Sequence, residues 1–597
     1  MSNNQEYLIE VSWEVCNKVG GIYTVITSKA EKVISKYRGN YLLIGPYFAD
    51  KIQGVFEEFS MEEKDKICPK AVCDELALQG IILHLGKWLI EGEPNVVLID
   101  YFNVKKDINN IKRFLWDKFN IDSLRSPYDY DDPVAWSFAA GKFIESFSGY
   151  SKNKRICCQF HEWLAGSGLL YLKAKNANVA TVFTTHATTL GRSLSFSGFD
   201  LYENLQKLDP DKKAYEVNTE AKHLLEKASA KNADIFTTVS EITGIEADKI
   251  LGRKPDVILP NGLDLDLYPT FEDLSIEHRT HRDNMREFLL YYFLPHYKFD
   301  VKDTLFYFLA GRYEYRAKGI DIFIKSLSGL NRRLIEEKSS KTIIAFIFVP
   351  TRIRAVRETI LENRTNFNDI KDDINENMSD IRKNIISNIV AGAGISKDTI
   401  FDDELIFNIK RKTLKLARKG NPPLSTHYLM DENDQIMRAL NESDLNNTEK
   451  DRVKVIYYPI YLTGADSLLD QTYQQVIIAS HLGIFPSYYE PWGYTPLECC
   501  ANGVANITTD LAGFGRYIKP KLRKDYPGAF VIERFGKSED AVVKQLYEVM
   551  YNFAMLSKKD RVENKISARN LAELADWSNL IENYFNAYRL AAKKRWS

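Results

Sequence analysis

The chain has 597 residues, which is more than a single hydrophobic core usually organises, so we expect at least two domains. Hydrophobic residues make up 45% of the chain and charged residues 27%, which excludes an intrinsically disordered protein and supplies enough apolar material for large cores. The net charge of −1 gives no electrostatic reason to expect nucleic acid or an anionic membrane as the main partner.

The cysteines and the first residues predict a cytoplasmic protein. The seven cysteines are an odd number and no two of them form a C-x-x-C pair, so we expect reduced thiols. The amino terminus has no charged segment followed by an apolar stretch, and no segment reaches the ~20 apolar residues of a membrane-spanning helix.

Short apolar runs separated by helix-like segments predict two sheets in chain order. The first series covers residues 7–11, 41–44, 96–99, 156–160, 181–184, 235–239 and 257–259. The second series covers residues 305–310, 343–349, 453–458, 476–485, 506–509 and 530–533. Strands that alternate with helices favour parallel sheets with right-handed crossovers. The predicted fold class is therefore α/β, with two Rossmann-like, doubly wound domains that face a cleft.

A turn signal, Pro-Asn-Gly at 260–262, separates the two series. We therefore predict a first domain over residues 1–265 and a second, nucleotide-binding domain over 266–574. A long charged segment at 352–390 interrupts the second domain and has helical periodicity. Its apolar stripe packs on its own domain or requires a partner surface, and the pattern leaves both open. The stripe consists of Ile353, Val356, Ile360, Phe367, Ile370 and Ile374, interrupted by the polar Asn363.

The loop at 485–498 carries two carboxylates eight positions apart. The apolar run 477–486 predicts a buried strand, and the tetrapeptide 495–498 predicts an N-cap, a first-turn Pro and a capping-box acid of a helix. Ligands of open α/β sheets bind where a strand ends and a helix begins, and free N–H groups there suit a pyrophosphate. Glu490 precedes a Pro and fits poorly inside a helix, so it is a site candidate. Glu498 is either a capping residue or a ligand contact.

Two other loops carry candidate phosphate contacts, each after a predicted strand. Lys18 and the pair Gly20 and Gly21 follow strand 7–11, where glycines permit close approach to a phosphate and Lys adds charge, although Gly pairs also form ordinary turns. Arg312 and Lys318 follow strand 305–310. Two cations there would stabilise a departing diphosphate, although loop cations are often merely solvated.

A third loop carries His186 and Arg192 after strand 181–184. A lone His is more often a hydrogen-bonded structural residue than a catalyst. The pair His161 and Glu162 would suit a metal, but no second His follows at ligand spacing. We therefore expect no metal site and no cofactor.

Taken in order, these segments resemble the motifs of the animal and fungal type of glycogen synthase, a family of retaining glycosyltransferases with two Rossmann-like domains. Glu490-x7-Glu498 is similar to the E-x7-E signature of such enzymes, and Tyr-Tyr-Glu-Pro-Trp-Gly-Tyr-Thr-Pro at 488–496 closely resembles the glycogen synthase form. Further matching blocks lie at 10–22, 160–166, 183–192, 237–243, 260–262 and 310–319.

The resemblance implies an enzyme that transfers glucose from UDP-glucose to the 4-hydroxyl at a non-reducing end of glycogen or a similar α-1,4-glucan. It implies that Tyr473 stacks on the uracil, that Glu498 binds the ribose and that Trp492, Gly493, Tyr494 and Thr495 hold the pyrophosphate. The implied catalytic residues are Glu490, Lys318, Arg312, His186 and Arg192. The implied donor-binding residues are Lys18, Gly20, Gly21, His186, Arg192, Arg312, Lys318, Tyr473, Glu490, Trp492, Gly493, Tyr494, Thr495 and Glu498.

The resemblance also implies features away from the site. A helical insertion at about 350–425 would join subunits into a homo-oligomer, commonly a tetramer, and a last helix at 575–597 would pack back on the first domain. The arginine cluster through which relatives bind glucose 6-phosphate is largely missing at 558–577, although His278 and His481 match other positions of that effector site. We therefore expect no control by glucose 6-phosphate, and none by phosphorylation of a Ser-rich tail.

Two other functions stay open at this point. One is an ADP-glucose-dependent glucan synthase or another two-domain glucosyltransferase, because motif spacing does not define the base. The other is a non-catalytic glucan-binding or regulatory subunit with the same fold. Such a subunit would be expected to have lost some of the site's charged residues, which are retained at Lys18, Arg192, Arg312, Lys318 and Glu490.

Overall fold

The computed structural model describes residues 6–151 and 154–597. In the first part of the chain the strands are β1 (Glu6–Val11), β2 (Tyr41–Pro46), β3 (Phe56–Glu58), β4 (Ile82–Trp88), β5 (Asn95–Asp100), β6 (Arg155–His161), β7 (Ala180–Thr185), β8 (Ile235–Thr238) and β9 (Val257–Ile258). The helices are α1 (Gly21–Tyr37), α2 (Met61–Ile67), α3 (Lys70–Leu78), α4 (Phe102–Lys105), α5 (Ile108–Phe119), α6 (Asp131–Tyr150), α7 (Gly166–Ala174), α8 (Thr189–Phe196), α9 (Leu201–Asn204), α10 (Pro210–Glu216), α11 (Glu220–Asn232) and α12 (Glu241–Leu251).

The second part has a corresponding set of elements. Its strands are β10 (Thr304–Ala310), β11 (Thr342–Phe348), β12 (Ile353–Val356), β13 (His427–Leu429), β14 (Val453–Tyr458), β15 (Leu482–Ile484), β16 (Ala505–Thr509) and β17 (Ala529–Ile532). Its helices are α13 (Phe271–Phe293), α14 (Ile320–Glu336), α15 (Glu358–Glu376), α16 (Met378–Val390), α17 (Lys397–Ile400), α18 (Asp403–Leu416), α19 (Gln435–Glu442), α20 (Tyr473–Ala479), α21 (Tyr494–Ala501), α22 (Gly513–Ile518), α23 (Glu539–Met555), α24 (Lys558–Glu573) and α25 (Trp577–Trp596).

Two twisted sheets organise the described residues, and the predicted α/β class with two doubly wound domains is confirmed. The first sheet has the strand order β3-β4-β5-β2-β1-β6-β7-β8-β9, and the second has the order β14-β11-β10-β15-β16-β17. The second sheet is parallel throughout its described strands. Central strands such as β10 and β11 are buried along almost their whole length, because helices cover both faces of each sheet.

The register of the strands places the candidate loops side by side. In the first sheet, Val11 of β1 lies opposite Phe160 of β6, and His161 lies opposite Thr184 of β7. The loops that follow these strands therefore leave from the same sheet edge. In the second sheet, Phe308 of β10 lies opposite Gly483 of β15. The loops at 311–319 and 485–493 consequently emerge next to each other.

The last helix, α25, lies on the first sheet rather than on the second. It packs against α1 and β7, and its Trp577 indole N–H donates to Ser28 Oγ at 2.7 Å. Farther along, the Tyr588 hydroxyl donates to Gln159 Oε1 at 2.5 Å. Among the described residues, no helix combines the length and the apolar character needed to cross a bilayer.

Three local predictions were wrong. The apolar run 477–486 is not one strand, because α20 extends to Ala479 and only Leu482–Ile484 forms β15. The helix after the glutamate loop begins at Tyr494 with Gly493 as N-cap, so Thr495 is not the cap. In the segment 352–390, residues Ile353–Val356 form β12, paired antiparallel with β13, and the helical pattern starts after them at α15.

Candidate active site

The loop between β10 and α14 brings Lys318 against Glu490. Lys318 Nζ lies 2.6 Å from Glu490 Oε2, and both side chains are about four-fifths buried, with exposures of 17% and 20%. The hydroxyl of Ser487 donates to the same carboxylate oxygen at 3.3 Å. A small cavity beside them is lined by Ser487, Thr495 and Thr508 together with the ion pair. A charge-assisted hydrogen bond of this length fixes both groups at the mouth of the cleft.

Two glycines permit this approach of the loops. Gly319 has φ +68°, and a Cβ added there would lie 2.0 Å from the carbonyl oxygen of Pro486. The backbone of the Lys318 loop therefore touches the backbone of the glutamate loop, which a side chain would prevent. Gly493 has φ +108°, and an added Cβ would lie 3.3 Å from Glu490 Cγ. At this position glycine allows the turn that starts α21 directly behind Glu490.

The other acid of the loop, Glu498, makes a contact that a helix-capping role does not explain. It lies in the second turn of α21, where it accepts a hydrogen bond from the Tyr473 hydroxyl at 3.0 Å. Burial raises the pKa of Glu498 above its ordinary value, and the Tyr473 hydrogen bond opposes that rise. The structure thus pairs Tyr473 and Glu498 across 25 positions of sequence.

Of the pyrophosphate candidates, Trp492 has its indole in the hydrophobic core. The ring packs against Phe514 with centroids 6.0 Å apart, and the side chain is 4% exposed. In the described part of the chain its Nε1 has no hydrogen-bond partner. At this position the backbone of the α21 amino terminus, rather than the indole, is the group that can face a phosphate.

On the first-domain side, His186 is held by a buried chain of hydrogen bonds. Its Nε2 lies 2.9 Å from His161 Nδ1, and His161 Nε2 lies 2.7 Å from Glu10 Oε1. Glu10 also accepts from Lys29 Nζ at 2.5 Å and from the Tyr41 hydroxyl at 2.6 Å. The pKa of Glu10 is held below its ordinary value, because Lys29 and His161 outweigh its burial.

The protonation of this chain follows from its geometry. Burial lowers the pKa of both imidazoles, so both rings are neutral at neutral pH. His161 Nε2–H donates to the Glu10 carboxylate, which leaves His161 Nδ1 as an acceptor. His186 must then donate through Nε2–H, so its Nδ1 carries no proton. A carboxylate and a histidine together set the tautomer of His186.

A second acid, Glu162, holds the backbone of the same loop. Its Oε1 accepts from the backbone N–H groups of His186 and Ala187 at 2.9 and 3.0 Å. Glu162 itself has φ 65° and ψ 172°, a region that non-glycine residues rarely occupy and that costs about 1–3 kcal/mol. Burial raises the pKa of Glu162 to about 7, against the lowering effect of Arg192. The strained backbone of Glu162 thus belongs to the residue whose carboxylate holds the His186 backbone in place.

The glutamate loop is also tied to the first domain. The Tyr489 hydroxyl donates to Glu246 Oε1 of α12 at 2.9 Å, and the Ser240 hydroxyl donates to the Pro491 carbonyl at 2.6 Å. Arg192, which is exposed at the start of α8, lies within electrostatic reach of both Glu162 and Glu314. The two halves of the site therefore face each other across the cleft.

Two of the predicted cations do not join this cluster. The Arg312 side chain is 70% exposed and pairs with Glu314 at 2.8 Å. Lys18 is exposed, with its ammonium 5.7 Å from the centre of the Tyr23 ring.

The backbone N–H of Gly20 and that of Tyr23, at the start of α1, donate to Glu14 Oε2 at 2.8 and 2.9 Å. Glu14 thus accepts hydrogen bonds from backbone N–H groups of the loop that the sequence analysis predicted to contact a phosphate. Gly21, the other glycine of that loop, lies opposite the Tyr494 ring.

Sequence reasoning missed the buried acids of the site. Glu10, Glu14 and Glu246 were not among its candidates, and His161 and Glu162 were weighed as metal ligands alone. Within 6–151 and 154–597, no group of three or more His, Cys, Asp or Glu side chains is arranged to hold a metal ion. A charged residue within the apolar, buried part of a strand, as Glu10 is in β1, was the available signal for the His161 contact.

The fold and this cleft define a class of protein. The catalytic domain of starch synthase IV from Arabidopsis thaliana, solved with ADP and acarbose, superposes with a TM-score of 0.50 at 13% identity over 98% of this chain and 99% of that one. An α,α-trehalose-phosphate synthase (UDP-forming) from Burkholderia vietnamiensis gives 0.50 at 9% identity over 99% of both chains. The architecture is that of the two-domain glycosyltransferases called GT-B.

Sequence comparison identifies the family. The model of the glycogen synthase family matches residues 10–597. The chain is 36% identical to the rat liver glycogen [starch] synthase over 98% of this chain and 83% of that protein, and 35% identical to isoform 2 of Saccharomyces cerevisiae over 98% and 86%. It spans 66% of the length of the Dictyostelium discoideum relative, at 36% identity. The chain belongs to the glycogen synthase family.

Proposed function

We propose that this protein lengthens glycogen by transferring glucose, with retention of configuration, from UDP-glucose to the 4-hydroxyl at a non-reducing end of an α-1,4-glucan. The observation that carries the proposal is the 2.6 Å contact between Lys318 Nζ and Glu490 Oε2, at the cleft where the α21 amino terminus begins. A cation, a carboxylate and free backbone N–H groups at one point suit the departure of a diphosphate from a sugar.

In this reaction the bond between glucose C1 and the β-phosphate oxygen breaks, and a bond between C1 and the acceptor O4 forms. The proton of the acceptor hydroxyl passes to the departing phosphate, which leaves as UDP. Negative charge grows on the phosphate while positive charge grows on the sugar ring. Lys318 would stabilise the first and Glu490 the second, and neither step requires a metal or a cofactor.

The donor would lie along the second domain. The N–H groups at the start of α21 would hold the pyrophosphate, Glu498 the ribose hydroxyls, and Tyr473 the base by stacking. Support comes from the Tyr473 to Glu498 hydrogen bond at 3.0 Å, which orients both side chains at one end of α21. Arg312 would have to swing from solvent toward the phosphate when the cleft closes over the donor.

The acceptor side of the site would be the first domain. His186 and Arg192 belong to that domain, and Arg192 lies within electrostatic reach of Tyr489 in the glutamate loop. Closure of the two domains would exclude the water that would otherwise hydrolyse the donor. We also place the protein in the cytoplasm. All seven cysteines are free thiols, which fits a reducing compartment.

A homo-oligomer, most simply a tetramer, is part of the proposal. Large apolar side chains on the insertion are exposed by 53–82%, which is unusual for a monomer surface. They are Ile386, Ile389, Val390, Ile395, Phe407 and Leu414. Light scattering should give a mass several times 68.7 kDa, and Phe407→Glu with Leu414→Glu should lower it. Leu78→Glu, on the first domain and 91% exposed, is the matched control.

The test of the activity is incorporation of radiolabelled glucose into glycogen from UDP-glucose and, separately, from ADP-glucose. Transfer from UDP-glucose, with a new α-linked unit released by β-amylase as maltose, is the expected result. A preference for ADP-glucose would keep the mechanism and overturn the uracil assignment. Absence of transfer from both donors would favour a non-catalytic glucan-binding protein.

A further inference from the structure

A cavity of about 990 Å³ opens between the two domains, outside the ion pair of Lys318 and Glu490. Residues 195–198 form its first-domain wall, and the loop 313–317 forms the opposite wall together with α14 and α19. Arg316 spans the gap at one side, where its Nη1 donates to the Gly198 carbonyl at 2.9 Å. The volume is at the upper end of the ~300–1,000 Å³ typical of ligand sites, so it has room for more than one sugar ring.

Both walls continue directly from elements of the candidate active site. The loop 313–317 is the stretch between Arg312 and Lys318. On the other side, Phe196 lies four positions after Arg192 on α8, which is about one helical turn, or ~6 Å along the axis. The cavity therefore adjoins the loop that ends at Lys318 and the helix that carries Arg192.

The lining suits a neutral, hydroxyl-rich ligand. The Phe196 ring is 74% exposed, which is an uncommon position for a phenyl group unless something stacks on it. Carboxylates outnumber cations six to three, so a phosphate-bearing ligand is disfavoured. The acids are Glu314, Asp321, Asp431, Asp434, Glu442 and Glu539, and the cations are Arg316, Lys325 and Arg438. Carboxylates and guanidinium groups together offer acceptors and donors for sugar hydroxyls.

One polar group of the lining indicates a ligand more directly. Ser195 is 4% exposed, and among the residues that the structure describes its Oγ has no hydrogen-bond partner. A buried hydroxyl without a partner costs stability unless a ligand or water satisfies it. The Tyr313 hydroxyl donates to Asp434 Oδ2 at 2.8 Å, which fixes a second aromatic ring in the opposite wall.

We propose that this cavity binds internal glucose units of the α-glucan acceptor, behind the terminal unit whose 4-hydroxyl reacts. The inference rests on the proposed function for the identity of the ligand, but the binding surface can be tested without turnover. Long acceptors would gain affinity from the stack on Phe196 and from hydrogen bonds to Glu442, whereas a disaccharide would end before reaching them.

The experiment compares Phe196→Ala and Glu442→Gln with the wild type. Phe102→Ala is the control, because Phe102 is also exposed, by 68%, on the first domain. The Michaelis constant for maltoheptaose and for glycogen should rise about tenfold in Phe196→Ala and severalfold in Glu442→Gln. The values for maltose and for UDP-glucose should stay within twofold of the wild type, and Phe102→Ala should match the wild type throughout.

Calorimetric titration with maltoheptaose provides the second readout. Phe196→Ala should bind it about tenfold more weakly than the wild type and Phe102→Ala should not, whether or not the protein turns over. Equal affinity for maltoheptaose in the wild type and Phe196→Ala would overturn the inference. So would an equal rise of the Michaelis constants for maltose and maltoheptaose. A wild type that transfers no glucose but binds maltoheptaose through Phe196 would overturn the proposed function alone.

Discussion

The buried chain from Lys29 through Glu10 and His161 to His186 predicts that stability and catalysis can be separated. Lys29 and Glu10 are both 0% exposed, so Glu10→Gln leaves an ammonium group buried without its partner. Removing one member of a buried pair costs about 3–5 kcal/mol. We expect Glu10→Gln to lower the free energy of unfolding by that amount at neutral pH, as measured by urea titration.

The double variant Glu10→Gln/Lys29→Met removes both charges and should recover most of that loss, because no buried charge is left alone. The amide at position 10 can either donate or accept, so it no longer fixes the tautomer of His161 or, through it, of His186. We expect kcat to stay about 10²-fold below the wild type, the typical effect of a small misplacement in an active site.

The assay is glucose transfer at saturating UDP-glucose and glycogen, with the urea midpoint of each variant measured in parallel. A double variant that is as stable as the wild type and also has wild-type kcat would refute the reasoning. It would show that the carboxylate serves the fold without acting on His186. A single Lys29→Met variant gives the control for loss of the cation alone.

Three further predictions concern the glutamate loop, the domain contact and regulation. Gly493→Ala places a side chain on a backbone with φ +108°, so it should lower the free energy of unfolding by about 1–3 kcal/mol and lower kcat. Wild-type thermal stability and turnover in this variant would contradict the conclusion that the turn requires glycine. Burial raises the pKa of Glu246 to about 7 from 4.5, so the folded protein loses stability as pH rises through that window, on the order of 3 kcal/mol. Urea titrations at pH 5 and pH 8 should show a smaller pH dependence in Glu246→Gln, and an unchanged dependence would count against the assignment. Insensitivity to glucose 6-phosphate stays a prediction, and transfer rates with and without this effector should agree within twofold. The second domain does have a cavity lined by His278, His481 and several cations, at the place where the resemblance implies that the effector binds. A large activation by glucose 6-phosphate would contradict the prediction.

The sequence predicted the parallel core well for a simple reason. Strands such as β10 are covered on both faces, so they appear as uninterrupted apolar runs. The same rule failed at 477–486, where the end of α20 and the short strand β15 are both buried and apolar. Periodicity alone does not separate a buried helix from a buried strand over so few residues.

The strand next to the edge strand β3 was missed for the opposite reason. β4 has the sequence Ile-Leu-His-Leu-Gly-Lys-Trp and is buried over only part of its length, and it pairs antiparallel with β5 near one end of the sheet. Its apolar pattern is broken by polar residues that face solvent. The insertion was anticipated as helical, but β12 pairs with β13, which is more than 70 positions away, and such a pairing has no local signal.

The site was predictable where a residue type implies its chemistry, and less so where a contact depends on register. Lys318 and Glu490 were both candidates, and the structure joins them across 172 positions. Glu10 and His161 are 151 positions apart and meet because β1 and β6 are neighbours in the sheet. Arg312 was placed in the site by its loop, yet its side chain turns to solvent beside Glu314. The functional roles of these residues stay predictions.

The most direct test of the central claim compares the wild type with Glu490→Ala and Lys318→Ala in transfer of labelled glucose from UDP-glucose to glycogen. Both variants should fold, as judged by circular dichroism and thermal unfolding, and both should lose at least 10²-fold in kcat because each removes a charge that the reaction requires. Wild-type turnover in either folded variant would contradict the assignment of the ion pair as the reaction centre.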